Sequence, residues 1–387
     1  MFWFIGMFAA VLAGLALWVL LRDQTDDETA QIPGQFIVRF KEDATKEQIA
    51  GIHRKHKCEV LYEDDSIGFS ILKTDRSVKR MLKKYLNQEE VEYAEPNYRF
   101  KAFEVTPNDP YFRYYQYGPQ LIQAPSAWEV TTGDPQAQIA VVDTGVNLTH
   151  PDLTGKLVAG YDFVDRDNSP EDLNGHGSHV AGIAAAATGN GRGIAGTAPR
   201  ASILPVRVLD RYGEGSLDQV ANGIIYAANR GAKVINLSLG SPYDAYTLRR
   251  AVEYAWSRGA VVVAAAGNDA SSAPNYPAAY SSVIAVGSVD GSDRKSDFSN
   301  YGRWVDVAAP GTDILSTYDN GLYAYLSGTS MASPHVAGLA ALLAAQGRSN
   351  VEIADIIRTT ADPIPGTGVY WSYGRINADR AVRATVG

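Results

Sequence analysis

Hydrophobic residues in the C-terminal three quarters of the chain fall in short, continuous runs. The clearest runs are QIAVVD, SILPVRVL, KVINLSL and AVVVAAAG, and between them lie HVAGIAAAA, LDQVANGIIYAANRG and TLRRAVEYAWSRG. Unbroken Val/Ile/Ala runs are typical of strands buried on both faces, and the intervening stretches repeat at helical spacing. The pattern predicts a mainly parallel sheet covered by helices on both sides, with ligands bound beyond the carboxyl ends of its strands.

A different rhythm precedes this region. Residues 31–104 read as the strand QFIVRF, the helix ATKEQIAGIHRKH, the strand GFSILKT, the helix VKRMLKKYL and the extended VEYAEPNYRF. This segment carries 14 Lys/Arg and 13 Asp/Glu, against 20 and 26 in the much longer stretch 105–387, so charge density halves at the junction. Two helices among strands in about 70 residues predict a small α+β sandwich of the ferredoxin-like kind, with an unrelated binding module as the alternative.

The N-terminal residues 1–21 (MFWFIGMFAAVLAGLALWVLL) are uncharged and apolar. A helix of this length is long enough to cross a bilayer. Arg22 and an acidic cluster follow. Basic residues before the apolar run and a clear small-residue cleavage site are both missing. Residues 1–30 are therefore interpreted as a signal peptide or a membrane anchor, and the sequence leaves both open.

Composition excludes some classes of function. The formal net charge is −8, and no Lys/Arg-rich run interleaved with aromatics occurs, so we expect no nucleic-acid partner. Cys58 is the only cysteine, which excludes an intrachain disulfide and a C-x-x-C metal site. An exported chain would then need another source of stability.

Three polar residues stand where such a sheet would bind a ligand. Asp143 ends IAVVD, His176 lies in NGHGSHVAG, and Ser330 lies in SGTSMASPHVAG at the start of an apolar helix. Taken singly, they read as a turn residue, a structural histidine and a helix cap. A serine at a helix start also lies near the positive end of the helix dipole, which favours negative charge developing on an attacked carbonyl.

Together, VVDTGV, NGHGSHVAG and SGTSMASPHVAG resemble the three signature segments of the subtilisin-like serine proteases, in the same order of Asp, His and Ser. The resemblance extends over residues 105–387 and is closest to the thermitase-like branch, through TPNDPYF and ILPVRVLD. It implies a subtilisin-like three-layer α/β fold and a secreted serine endopeptidase of broad specificity. Asp143, His176 and Ser330 would form the catalytic triad, with Asn268 as the oxyanion-hole donor.

The resemblance also assigns the leading segment. Residues 31–104 look like the inhibitor-type propeptide of the family, acting on the peptidase domain 105–387 as folding chaperone and inhibitor. The enzyme itself would cut the chain near Phe103 to Val105. Cys58 would leave with the propeptide, and the mature enzyme would be a monomer whose exposed sulfur is Met331. Membrane contact would come only through residues 1–21, if these stay uncleaved.

Protein and peptide substrates would pair with the cleft as an added strand, a mode that tolerates many sequences. Asn275 resembles the residue at the base of the pocket for the side chain before the scissile bond, where a loop asparagine is the plain alternative. The full set of substrate-binding residues implied by the resemblance is Gly213, Gly215, Ser238, Leu239, Gly240 and Asn275.

Calcium is the cofactor that we expect. The stretch YDFVDRDNSPED is rich in carboxylates, and hard oxygen ligands on a flexible loop suit calcium, although a solvated acidic loop is the plain alternative. By resemblance, one site would use Asp162, Asp165, Asp167 and Glu171. A tighter site would use Asp109, Asp152, Ala187, Asn190, Arg192 and Ile194.

Two rival functions remain at this stage. One is a catalytically silent protein that binds peptides on a protease fold, which the intact Asp143, His176, Ser330 and Asn268 disfavour. The other is a membrane-tethered processing protease, which the apolar N-terminus supports.

Overall fold

The computed structural model describes residues 31–99 and 106–385, and the chain divides into two compact units, 1–103 and 104–387. Among the described residues, no helix has both the length and the apolar character that a membrane crossing requires. The expected signal or anchor at 1–30 and the expected cleavage near Phe103 to Val105 lie outside the described residues.

The first unit is a four-stranded antiparallel sheet with two helices. Its strands are β1 Gln31–Phe40, β2 Glu59–Asp64, β3 Phe69–Lys73 and β4 Val91–Tyr98, and its helices are α1 Lys46–His56 and α2 Val78–Leu86. The sheet order β2-β3-β1-β4 confirms the ferredoxin-like α+β prediction. Strand β2 was not predicted, because its residues are almost all exposed and lack an apolar alternation.

Within residues 106–385, the second unit contains nine helices, a large sheet and a small β-hairpin. Its strands are β5 Ile139–Asp143, β6 Tyr161–Asp162, β7 Ile203–Arg207, β8 Val234–Leu237, β9 Val261–Ala265, β10 Val283–Val289, β11 Val307–Pro310, β12 Ile314–Thr317, β13 Tyr323–Leu326 and β14 Gly374–Arg375. Its helices are α3 Phe112–Tyr115, α4 Tyr117–Leu121, α5 Ala124–Trp128, α6 His176–Ala185, α7 Leu217–Asn229, α8 Tyr246–Ser257, α9 Thr329–Ala345, α10 Asn350–Thr359 and α11 Ala378–Arg383. Asp319–Gly321 forms a 3₁₀ turn.

Eight strands form one sheet in the order β14-β11-β10-β9-β8-β5-β7-β6, and every neighbouring pair is parallel. This confirms the predicted parallel sheet. After β5 the chain builds β6 and β7 on one side and then β8 to β11 on the other. The carboxyl end of β5 is therefore a point where the strand order reverses, which is where open α/β sheets bind their ligands.

Alternating residues of β5 enter the two hydrophobic layers that sandwich the sheet. Ile139 and Val141 pack with α6 and α9, while Ala140 and Val142 pack with α7 and α8 on the opposite face. Because both faces are covered, the strand reads as a continuous apolar run. The first charged residue after this run, Asp143, stands at the reversal point.

Candidate active site

Asp143 and His176 form the central hydrogen bond of the site. Asp143 is fully buried, and its Oδ1 accepts hydrogen bonds from the backbone N–H of Thr144 at 2.7 Å and from His176 Nδ1 at 2.7 Å. His176 is the first residue of α6, and its side chain is 27% exposed. A proton on Nδ1 leaves Nε2 with a lone pair, so the exposed edge of the ring can act as a base.

Glycine at position 177 allows this contact. A Cβ on Gly177 would lie 2.0 Å from the carbonyl oxygen of Gly145 and 3.2 Å from Cβ of Asp143. Real side chains do not tolerate the first distance, so only glycine lets the start of α6 pack against the end of β5. The glycine that follows His176 in the sequence motif therefore has a steric reason.

The charges around His176 set its proton affinity. Burial lowers the pKa of His176, but the negative charge and hydrogen bond of Asp143, with a smaller contribution from Asp172, outweigh burial and raise the pKa above its usual value of 6.5. The imidazolium is therefore stabilised relative to a free histidine, which favours proton uptake from a nucleophile.

Ser330 is the second residue of α9. Its Oγ donates a hydrogen bond to the carbonyl oxygen of Ser238 at 3.1 Å, and Ser238 Oγ donates to the carbonyl oxygen of Ser330 at 2.9 Å. Within the part of the chain that the structure describes, no hydrogen bond joins Ser330 to His176. The hydroxyl must therefore rotate before His176 can take its proton, as is common in sites without substrate.

Asn268 is held so that its amide nitrogen is free. Its Oδ1 accepts hydrogen bonds from the Thr329 backbone N–H at 2.8 Å and from Thr329 Oγ1 at 2.9 Å, and no acceptor for its Nδ2 occurs among the described residues. A Cβ placed on Gly328 would lie 3.4 Å from Asn268 Nδ2 and 3.7 Å from the Ser330 nitrogen. Both nitrogens therefore lie beside one small space, which is where an oxyanion hole would have its donors.

A cleft of about 910 Å³ opens beside the histidine. Five of the six expected substrate-binding residues line it together with His176, namely Gly213, Gly215, Ser238, Leu239 and Gly240. Asn275 lies next to this lining, because a Cβ on Gly240 would meet its Oδ1 at 3.0 Å. The structure therefore brings the expected substrate residues together around one groove.

Asp172 was counted only as part of an acidic loop, but it organises the start of α6. Its Oδ1 accepts hydrogen bonds from Thr144 Oγ1 at 2.8 Å and from the N–H groups of Asn174 and Gly175 at 2.9 Å each. Its Oδ2 accepts from Ser178 N at 2.8 Å and Ser178 Oγ at 2.6 Å. The carboxylate is only 2% exposed, so it caps the helix that carries His176.

The six residues of the expected tighter calcium site lie together. Asp152 Oδ1 accepts from Asn190 Nδ2 at 2.9 Å, and Asp152 Oδ2 accepts from Ile194 N at 2.9 Å. Asp109 accepts the N–H groups of Gly189 and Asn190. The remaining contacts run from Ala187 N to the Asp152 carbonyl and from Arg192 N to Asn190 Oδ1.

The donor chemistry of this cluster fits a hard cation. Asp109 and Asp152 are 3% and 0% exposed, and within 31–99 and 106–385 neither forms an ion pair with lysine or arginine. Burial raises the pKa of Asp109, and the nearby charge of Asp152 raises it further, although backbone hydrogen bonds oppose this. A cation between two such carboxylates would remove the unfavourable charge.

Two carboxylates of the acidic loop form ion pairs with an arginine. Arg207 Nη1 lies 2.6 Å from a carboxylate oxygen of Asp162 and 2.6 Å from one of Asp165, so the guanidinium neutralises both. Asp167 instead accepts the Ser169 N–H, and Glu171 accepts the Leu148 N–H. No group of three or more carboxylate, imidazole or thiol side chains in the described residues is arranged to hold a metal, so a calcium site at this loop stays a prediction.

Comparison with family models agrees with the geometry. A model described as "Subtilase family" matches residues 135–381, and a model described as "Fervidolysin N-terminal prodomain" matches residues 22–97. The first covers Asp143, His176, Asn268 and Ser330.

Individual proteins are similar over most of the chain. A thermophilic serine proteinase of Bacillus sp. (strain AK1) is 56% identical over 358 residues, which cover 92% of this chain and 89% of the relative. Thermitase of Thermoactinomyces vulgaris is 63% identical over 278 residues, covering 72% of this chain and 99% of thermitase. A solved protease structure from Pseudoalteromonas arctica is 35% identical with a TM-score of 0.66, covering 72% of this chain and 99% of that one.

Proposed function

Because the chain belongs to the subtilase family of serine endopeptidases and carries an N-terminal prodomain, we propose that it is the self-processing precursor of a secreted, calcium-stabilised endopeptidase of broad specificity. Ser330 is the nucleophile, His176 the general base and acid, and Asp143 the carboxylate that orients the imidazole. The observation that carries this assignment is the 2.7 Å hydrogen bond from His176 to the buried Asp143, at a cleft whose Ser238 also binds Ser330.

The proposed reaction begins when the Ser330 hydroxyl turns from Ser238 toward Nε2 of His176. His176 takes the proton as Ser330 Oγ bonds to the substrate carbonyl carbon, and Asp143 stabilises the imidazolium. The imidazolium then protonates the leaving amine as the peptide bond breaks, which leaves an acyl group on Ser330. Water repeats the sequence and releases the carboxylic acid.

Asn268 Nδ2 and the Ser330 N–H are the proposed donors to the tetrahedral oxyanion. Thr329 fixes the carbonyl end of the Asn268 amide, so the donor end needs no reorganisation during the reaction. Loss of one such donor lowers kcat by about 10²- to 10³-fold, a magnitude known from subtilisin itself and carried over here.

Broad specificity follows from how the cleft would bind a substrate. Its walls include backbone at Gly213, Gly215 and Gly240, and hydrogen bonds to backbone do not depend on side chains. A Cβ on Gly215 would lie 2.2 Å from the Val208 carbonyl oxygen, so this wall needs glycine to keep its shape. Asn275 contributes a neutral amide beside the cleft, which imposes no demand for a charged substrate side chain.

Expression of the full chain and of a Ser330→Ala variant tests the catalytic proposal. The unaltered chain is expected to shorten to a start near Val105, to cleave casein and to take up a serine-reactive fluorophosphonate probe. The Ser330→Ala chain should stay full length and unlabelled. If both folded chains stay full length and unlabelled in calcium-containing buffer, the protein is a peptide-binding relative without catalysis.

Secretion rests on the apolar residues 1–21, and fractionation of an expressing culture tests it. Mature enzyme in the medium is the expected result. Mature enzyme that retains residues 1–21 and stays with the membrane fraction would instead establish a tethered processing protease.

Calcium binding is proposed at Asp109 and Asp152, with oxygens of the loop 187–194 as further ligands. The ion would neutralise two buried carboxylates and join this loop to the segment before α3. Chelation by EDTA is therefore expected to lower the melting temperature, by roughly 5–10 °C if the ion is present at about a hundredfold excess over its dissociation constant. An Asp109→Asn variant should lose this response and an Asp218→Asn variant should keep it; a parent protein that ignores EDTA would refute the site.

A further inference from the structure

The loop that carries Asn268 is poorly held by its own residues. It follows β9 as an exposed turn, in which Gly267 has φ 104° and Ala270 has φ 51°. A non-glycine residue in the left-handed region costs roughly 1–2 kcal/mol, so the turn would relax if nothing outside it kept its shape. Because a donor misplaced by about 1 Å can lower catalysis by about 10²-fold, the residue that holds this turn affects the rate.

Asn300 supplies that support. It lies in the segment after β10 and is 2% exposed. Its Nδ2 donates to the Ala266 carbonyl at 3.0 Å, and its Oδ1 accepts the N–H groups of Asp269 at 2.9 Å and Ser271 at 3.0 Å. Its backbone N–H donates to the Gly267 carbonyl at 2.9 Å. These contacts bracket Asn268 on both sides without touching it.

Packing reinforces the hydrogen bonds. A Cβ on Gly267 would lie 2.4 Å from Asn300 Nδ2 and 2.5 Å from Asn275 Nδ2, so the turn passes directly against both amides. On the opposite side, Thr329 Oγ1 accepts the Gly267 N–H at 3.0 Å and donates to Asn268. The turn is therefore held by the nucleophile helix on one side, and on the other by Asn300 together with backbone hydrogen bonds from Ala270 N to Phe298 and from Tyr301 N to Ser271.

We propose that Asn300 is a positioning residue of the peptidase reaction, which acts by holding the Asn268 amide where the oxyanion forms. The proposal rests on the oxyanion role proposed for Asn268. Serine cannot replace it, because its shorter side chain cannot span both sides of the turn. Aspartate cannot replace it either, because it loses the hydrogen bonds that Nδ2 donates to the Ala266 carbonyl and to Asp269 Oδ2 at 3.3 Å. An aspartate oxygen in the place of Nδ2 would instead face the Asp269 carboxylate.

A double-mutant cycle separates this role from a merely structural one. Mature enzymes with Asn300→Ser, Asn268→Ala and both changes are compared by kcat and KM on a peptide p-nitroanilide, well below their melting temperatures. Fluorophosphonate uptake counts the competent sites. Asn300→Ser is expected to lower kcat about 10- to 100-fold with KM within about twofold. In the Asn268→Ala background the same change should cost less than about threefold, because the residue through which it acts is gone.

A peptide aldehyde gives an independent readout, since its tetrahedral adduct with Ser330 carries the oxyanion. Its affinity should fall in the Asn300→Ser enzyme, whereas the affinity for a product peptide should not. Asn377→Ser is the matched control, because Asn377 is also buried and makes two side-chain hydrogen bonds, to Asp362 and from Arg380 N, outside this site. That control should lower the melting temperature and leave kcat unchanged.

Three results would overturn the proposal. They are an unchanged kcat in Asn300→Ser, an equal loss of kcat with and without Asn268, and failure of both Asn300→Ser and Asn300→Asp to fold. A different result, in which Asn268→Ala itself keeps full kcat, would refute the oxyanion assignment rather than the support that Asn300 gives to the turn.

Discussion

Replacement of Asp172 by asparagine tests how the start of the histidine helix is stabilised. Both carboxylate oxygens of Asp172 are in use: three donors converge on Oδ1, and the N–H and hydroxyl of Ser178 converge on Oδ2. Asparagine can keep an oxygen on only one of these sides. Whichever way its amide turns, an NH₂ group then faces at least two buried donors.

The magnitude follows from those two donors. A buried donor left without an acceptor costs about 1–3 kcal/mol, and loss of a charged acceptor at a helix start adds to this. Part of the penalty can relax, because the Ser178 hydroxyl can rotate to another acceptor. A loss of about 3 kcal/mol is the expected net effect, which corresponds to a melting temperature lower by roughly 5–10 °C in a domain of this size.

The measurement uses Ser330→Ala chains, since these cannot digest themselves during heating. Asp210→Asn is the matched control: Asp210 accepts two backbone N–H groups, from Tyr212 and Glu214, through Oδ1 alone, and asparagine keeps that oxygen. The control should melt with the parent. If Asp172→Asn also melts with the parent, the idea that both oxygens are required is refuted.

Two further predictions concern pH. Because the pKa of His176 is raised, the base is neutral only above that pKa, and kcat/KM should fall as pH drops through a value above 6.5. Asp172→Asn removes a charge that raises this pKa, so the fall in kcat/KM should move to lower pH. A fall at an unchanged pH in the variant would contradict this explanation. In the prodomain, burial lowers the pKa of both His53 and His56. The charge of His56 adds to the effect on His53, and nearby cations add to the effect on His56. The unfolded state therefore binds more protons below pH 6.5, and the stability of the prodomain should fall as pH drops below that value. In the Ser330→Ala precursor, amide hydrogens of residues 31–99 should lose protection from exchange in acid. If a chain that also carries His53→Gln and His56→Gln loses protection over the same pH range, the histidines are not the cause.

The periodicity of the sequence predicted the parallel sheet and its helices correctly. The runs before Asp143 and Asn268 became β5 and β9 because their residues are apolar on both faces, which is a local signal. Strand β2 carries no such signal, since its residues are exposed and its place depends on pairing with β3. The local hydrophobic pattern therefore predicts strands that are buried on both faces. It does not predict a strand whose position depends on pairing with another strand.

Within the site, the motif residues could be predicted and their supports could not. Asp172 and Asn300 act through hydrogen bonds to backbone groups that are distant or hidden in turns, and a lone Asp or Asn in a loop reads equally well as a turn residue. Met331 was expected to be exposed, yet it is 2% exposed and packs in the main core, because α9 buries the face on which it lies. The ion pairs of the acidic loop could not be predicted for a related reason, since Arg207 is separated from these carboxylates in sequence and meets Asp162 through the pairing of β6 with β7.

The position of β5 between β7 and β8 has a consequence for the timing of synthesis. Asp143 is made early, but both neighbouring strands of β5 come later in the chain, and Ser330 lies on a helix that packs on β8, β9 and β10. A growing chain therefore lacks its nucleophile until synthesis has passed Ser330, after the strands that hold its helix have been made. Chains that stop short of Ser330 cannot cut their neighbours, so proteolytic activity is withheld until synthesis has passed this residue.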